Sequence, residues 1–140
     1  MRPSAKPVPE ITAESRPFWA ACRRRELLLQ RCRACGAVQH YPRGVCARCW
    51  SDDLAWERSA GRGAVYTYTV VHRSQVPGFK EALPYVLAYV ELEDGVQLLT
   101  NLVDCDPGRV RIGMAVQVTF EDLSPEVTVP RFRPVAQEPS

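Results

Sequence analysis

The stretch Cys32–Trp50, CRACGAVQHYPRGVCARCW, holds four of the six cysteines of a 140-residue chain, in two Cys-x-x-Cys pairs separated by ten residues. A Cys-x-x-Cys turn presents both sulfurs on one side. Two such turns facing each other make the tetrahedral shell that zinc takes in structural sites. Iron in a rubredoxin-like site would use the same ligands, and a redox dithiol is a third reading. That reading is disfavoured because neither pair leads into the helix of a thioredoxin-like βαβ unit. Four thiolates leave no open position for water or substrate, so the spacing predicts structural zinc on Cys32, Cys35, Cys46 and Cys49. Gly36 follows the first pair and gives it a permissive backbone, whereas Trp50 stands in that place after the second, which predicts a second knuckle of different shape. A unit this small has almost no core, and structural zinc contributes on the order of 10 kcal/mol to the folding of finger peptides.

Arginines surround the cysteines. Residues 16–62 carry a net charge of +6 and residues 63–140 a net −4, and 16 of the 18 basic residues are arginine. Arg31, Arg33, Arg43 and Arg48 either compensate the charge left by four thiolates and one Zn²⁺, or face anionic groups of a ligand or a partner protein.

Working outward from the knot, Ser15 offers a side-chain N-cap and Pro17 a first turn to a short helix through about Arg25, with Phe18 and Cys22 sharing its buried face. Residues 1–14, with Pro3, Pro7 and Pro9, read as an extended arm. ELLLQRC and VQHYP read as short strands on either side of the first pair. After the second pair come LAWERS and, beyond a Gly61–Gly63 turn, GAVYTYTVVHR. YVLAYVELE and VQLLTNLVD flank Asp94-Gly95, a dipeptide suited to a tight hairpin. DPGRVRIGM holds about one helical turn, AVQVTFEDL is the next strand, and the prolines of TVPRFRPV predict an edge strand. The fold class is mainly β: an N-terminal helix, a zinc ribbon and a C-terminal five-stranded OB-type barrel. The expected division is 1–14 arm, 15–52 helix and ribbon, 53–136 barrel, 137–140 tail.

The chain shows no signal-peptide pattern and no apolar run of membrane-spanning length, so a cytoplasmic location is expected. No catalytic residue is assigned. His40 and His72 lack triad partners, and Cys105 lies between two aspartates that would raise its pKa. Aromatic Tyr66, Tyr68, Tyr85 and Tyr89 on the barrel would suit a single-strand nucleic-acid binder, but the net negative barrel has the wrong sign for a phosphate backbone, and this reading ranks third.

PFWAACRRRELLLQRCRACG, YPRGVCARC, GAVYTYTVVHR, PYVLAYVELEDGVQLLTNLV and RIGMAVQVTFED, in that order from about Arg16 to Pro134, resemble the OB-fold and zinc-ribbon family that accompanies acyl-CoA enzymes, long catalogued as a domain of unknown function. The resemblance implies a rubredoxin-like ribbon before an OB fold. It also implies a thiolase-fold catalytic partner, in some members together with an enoyl-CoA hydratase. The sharpest version is a lipid-transfer-protein-type aldolase of steroid side-chain degradation. The chemistry then belongs to the partner, and this chain stabilises it and offers Arg31, Arg33, Arg43, Arg48 and the loop residue Phe79 to CoA or to the partner. A stand-alone acyl-CoA-binding or carrier module is the alternative. Some members form the tail of a longer hydratase chain, so these residues can also be a fragment of one.

Overall fold

The computed structural model describes residues 8–75 and 83–135; Phe79, expected as a contact residue, lies outside them. Helix α1 spans Arg16–Arg23 and buries Phe18, Ala21 and Cys22. Ser15 does not cap it with its side chain, contrary to the expectation. Its backbone is already helical (φ −94°, ψ −8°), whereas a capping side chain needs an extended one to reach the first free N–H groups. The Ser15 hydroxyl turns back instead and accepts the Thr12 N–H at 2.9 Å.

The helix ends two residues before Arg25. Glu26 donates its N–H to the Ala21 carbonyl and Arg25 to that of Cys22, a closure that requires a left-handed residue, here Arg25 at φ 63°. Glycine is the usual occupant. Arg25 instead uses its side chain, donating two parallel hydrogen bonds to Asp122 at 2.9 and 3.0 Å. Thr128 donates a third at 2.6 Å. These bonds, Arg25 first and Thr128 second, hold the Asp122 carboxyl well below the usual carboxylate range. A depressed folded-state pKa adds stability above the unfolded value near 3.9 and loses it as the pH falls through the folded one. Asp122→Asn is therefore expected to melt below wild type at pH 7, with the gap closing below about pH 4. A pH-independent gap in thermal melts would refute the link.

Strand β1 (Leu27–Cys32) pairs antiparallel with β2 (Val38–Gln39) on one side and along its whole length with β3 (Leu54–Ser59) on the other. Although the division at 52/53 groups LAWERS with the barrel, β3 is thus an outer strand of the three-stranded ribbon sheet. The chain then crosses to the barrel at Gly61 (φ 71°), where a Cβ would lie 2.1 Å from Val118 Cγ1. Ser59 ties the crossing down: it donates to Asp94 at 2.7 Å and accepts the Gly61 N–H at 3.0 Å.

Strands β4 (Arg62–Val71), β5 (Tyr85–Leu92), β6 (Gln97–Leu102), β7 (Ala115–Asp122) and β8 (Thr128–Pro134) close a barrel in the order β4-β5-β6-β8-β7. Asp94-Gly95 makes the β5–β6 hairpin, with Gly95 at φ 94°, and the single turn of 3₁₀ helix at Pro107–Arg109 precedes β7. β8 is not an edge. It pairs with β7 over seven residues and in parallel with β6 at Leu102–Phe132. The prolines are tolerated because of where they stand. The Phe132 carbonyl accepts the Val103 N–H, so alternate positions, including Pro130 and Pro134, turn their backbone away from β7, towards a seam that is only one pair long.

The core is common to both parts. Phe18, Cys22, Leu27 and Leu29 from the helix and ribbon pack in one cluster with Val65, Val86, Val90, Leu98, Val116 and Phe132 from the barrel. Burial pushes the Cys22 thiol up to about 12, so it is a core residue and not a reactive one. Among the described residues, no helix is long and apolar enough to cross a membrane.

Candidate metal centre and its surroundings

β1 delivers Cys32 to the end of the ribbon sheet, where its N–H bonds the Ala37 carbonyl at 2.8 Å. The chain reverses, and Gly36 donates its N–H back to the Cys32 carbonyl. Around the second pair the same pattern recurs: Cys46 N–H to the Ser51 carbonyl, Trp50 N–H to the Cys46 carbonyl. The two knuckles thus have the same shape, in contrast to the expectation. Trp50 takes the left-handed conformation (φ 69°) that Gly36 takes at φ 81°. For a residue with a Cβ that conformation costs roughly 1–2 kcal/mol.

The four sulfurs lie within 4.8 Å of one another. Cys32 and Cys49 are 3.5 Å apart and Cys35 and Cys46 3.6 Å. A tetrahedral shell with zinc–sulfur bonds of about 2.3 Å sets sulfurs roughly 3.8 Å apart, so the cluster fits zinc. Backbone donors face the sulfurs as well: Cys35 N–H points at Cys32 Sγ and Arg48 N–H at Cys46 Sγ. The Cys49 and Arg48 N–H groups pull the Cys46 thiol down to about 6, while against the pull of the Ser51 N–H the Cys32 thiol and its neighbours push Cys49 up to about 12, so among these sulfurs the negative charge gathers on Cys46. With all four positions supplied by cysteine, the zinc is structural.

Gln30 and Gln39, to which spacing drew no attention, hold the connection between the knuckles. The buried Gln30 amide accepts the Arg43 N–H and donates to the Arg43 carbonyl, both at 3.0 Å, and accepts a 2.7 Å bond from Gln39. Gln39 in turn accepts the Ala47 N–H. The only available signal was a polar residue in the middle of an apolar strand.

The arginines divide into two kinds. Arg31 pairs with Glu57 at 2.8 Å and bonds the Gly36 carbonyl; Arg33 pairs with Asp53 at 3.1 Å. Arg43 and Arg48 are exposed, and their guanidinium groups meet no carboxylate among the described residues. His40 is turned inward against Phe18 and Tyr41, and burial drops its pKa to about 4, leaving it neutral. The Cys105 thiol is raised, by burial first and then by Asp104 and Asp106. On the barrel, Tyr66 and Tyr89 are exposed while Tyr68 and Tyr85 are half-buried.

Residues 19–55 match the model of the ChsH2 rubredoxin-like zinc ribbon domain, and residues 56–121 that of the ChsH2 C-terminal OB-fold domain. The chain is 41% identical to a probable enoyl-CoA hydratase alpha subunit of Thermomonospora curvata over 96% of its own length. It is 38% identical, over 86% of its length, to the 3-oxo-4,17-pregnadiene-20-carboxyl-CoA hydratase alpha subunit of Mycobacterium tuberculosis. It spans about two-fifths of each of those subunits, 42% and 38%. It is also 31% identical over half its length to the benzoylsuccinyl-CoA thiolase subunit BbsA of Geobacter metallireducens, covering 47% of that subunit. Among solved structures, a chain of the Ltp2–ChsH2(DUF35) aldolase superposes with a TM-score of 0.81 at 40% identity, over 90% of this chain and 98% of that one. Matched in both halves and throughout a solved relative, the chain belongs to the ChsH2 (DUF35) family, a rubredoxin-like zinc ribbon joined to an OB fold.

Proposed function

We propose that this chain is an accessory subunit or domain of a thiolase-fold enzyme acting on acyl-CoA, most sharply a retro-aldolase that cleaves a β-hydroxyacyl-CoA of a steroid side chain. The observation that carries the reading is the likeness to the ChsH2(DUF35) chain of the Ltp2–ChsH2 aldolase over nearly the whole of that chain. The thiolase subunit of Geobacter metallireducens supports a thiolase-type partner, and the pregnadiene-carboxyl-CoA hydratase subunit supports a steroid acyl group and a hydratase as a further partner. A retro-aldol cleavage needs a base and donors for the thioester enolate, and these are assigned to the catalytic partner. This chain's own role is to stabilise that partner, and of the four arginines around the cysteines Arg43 and Arg48, which meet no carboxylate among the described residues, are the ones offered to an anionic group outside the chain.

Co-expression with a thiolase-fold protein encoded beside it is the test. A stable complex on size exclusion, with aldolase activity above that of the partner alone, is expected. Failure to associate, together with CoA-ester binding by the isolated chain, would sink the reading in favour of a stand-alone acyl-CoA-binding module. One feature bears on that second reading: a cleft of about 500 Å³ whose lining sets Arg109 and Arg111 against Asp104 and Asp106, with Met114 and Val135 as its apolar part. Its volume lies in the range of small-molecule sites.

A further inference from the structure

Trp50 is placed unfavourably by two independent measures. Its backbone is left-handed at φ 69°, and its side chain, the largest apolar one in the alphabet, is 80% exposed. The matching position of the first knuckle holds Gly36, also left-handed, with nothing within 4 Å of an added Cβ. The turn itself therefore calls for glycine, and the isolated chain recovers little burial from the indole. Residues held in such conformations cluster at active sites, ligand clamps and switch regions.

The surroundings are specific. The hydrogen bonds from Cys46 N–H to the Ser51 carbonyl and from Trp50 N–H to the Cys46 carbonyl lay Val45 and Cys46 beside Trp50 and Ser51. Val45 is itself 41% exposed. Arg43 and Arg48 leave the same segment; Arg48 gives its backbone N–H to Cys46 Sγ, and neither guanidinium meets a carboxylate among the described residues. The arginines flanking the first knuckle are already neutralised by Glu57 and Asp53. The second knuckle thus presents an exposed aromatic and a valine next to two guanidiniums that meet no carboxylate among the described residues.

We propose that Trp50 and Val45, with Arg43 and Arg48, form the docking surface of the ribbon for a protein partner, the indole entering an apolar pocket rimmed by carboxylates that meet the two guanidiniums. The proposal rests on the accessory-subunit reading and names the surface through which this chain grips the thiolase-fold subunit. Tryptophan and arginine are the residues that most often dominate such interfaces, the aromatic as a desolvated anchor and the charges as partners for a complementary rim. A nucleic acid would also offer anions, but the barrel beside the ribbon carries a net −4 over residues 63–140 and opposes it.

The decisive variant is Trp50→Gly, because a structural and a docking role predict opposite results. Glycine suits the left-handed turn, so the variant is expected to keep its zinc and to melt no lower than wild type. Its Kd for the co-expressed thiolase-fold subunit should rise by at least about tenfold, the scale of an interface hot spot. The double variant Arg43→Glu, Arg48→Glu should weaken the same complex and reduce its salt sensitivity. If Trp50→Gly lost zinc or melted lower, the indole would belong to the knuckle's own stability and the proposal would be overturned. Binding equal to wild type in either variant would overturn it while leaving the accessory-subunit reading intact. No complex with the wild-type chain would remove both. A wild-type surface that instead took up single-stranded DNA, or self-associated through Trp50, would also overturn it.

Discussion

Cys32→Ser is expected to leave the ribbon unfolded at 25 °C and to take the zinc content from about one ion per chain to near zero. Cys32 is 1% exposed and ends the central strand of the ribbon sheet, so a serine there both breaks the sulfur shell and buries a hydroxyl. Structural zinc contributes on the order of 10 kcal/mol in finger peptides, as much as the whole stability of a typical domain, about 5–15 kcal/mol. The damage should spread. β1 contributes Leu27 and Leu29 to the cluster that also contains the barrel core, so the melting of the entire chain should shift. Cys35→Ser, at an exposed position, adds no buried hydroxyl and should be milder. Elemental analysis and thermal melts decide the matter: unchanged melting with a full complement of zinc would remove the structural role.

Phe132→Ala is expected to cost about 3–5 kcal/mol, the range for emptying a buried aromatic site. Phe132 is fully buried in the strand that closes the barrel, opposite Val118 of β7 and Leu102 of β6. Its surroundings cannot collapse into the space without pulling β8 off one of its two neighbours. A loss of this size consumes a large part of a domain's stability and should appear as a much lower urea midpoint with an unchanged slope. A cost below about 1 kcal/mol would mean that Phe132 does not occupy the centre of the barrel.

The cysteine spacing was enough to read the metal site, because four sulfurs at fixed separations on two tight turns have few ways to converge. The strands of the barrel were legible from their β-branched and aromatic runs, and the Asp94-Gly95 hairpin from its dipeptide. What was hidden depends on three-dimensional context. Ser15 looks like a cap until its backbone is seen to be helical. Pro130 and Pro134 look like edge residues, and only the single-pair seam to β6 explains how they sit within a closed barrel. Trp50 looks like an obstacle to a knuckle, yet its backbone takes the same left-handed turn as Gly36. The glutamines that brace the ribbon were invisible for a related reason: their partners are backbone groups, which every residue possesses.

The shared core bears on any attempt to take the chain apart. The boundary between the two matched family domains falls between Ala55 and Trp56, inside β3, and a cut there would remove four of the six partners that β3 gives to β1. Cutting at Ala60 would keep both sheets whole yet still separate Phe18, Leu27 and Leu29 from the barrel residues they pack against. For protein engineering the ribbon is consequently not a detachable tag: a transplant onto another enzyme has to carry everything from α1 through β8 as one piece.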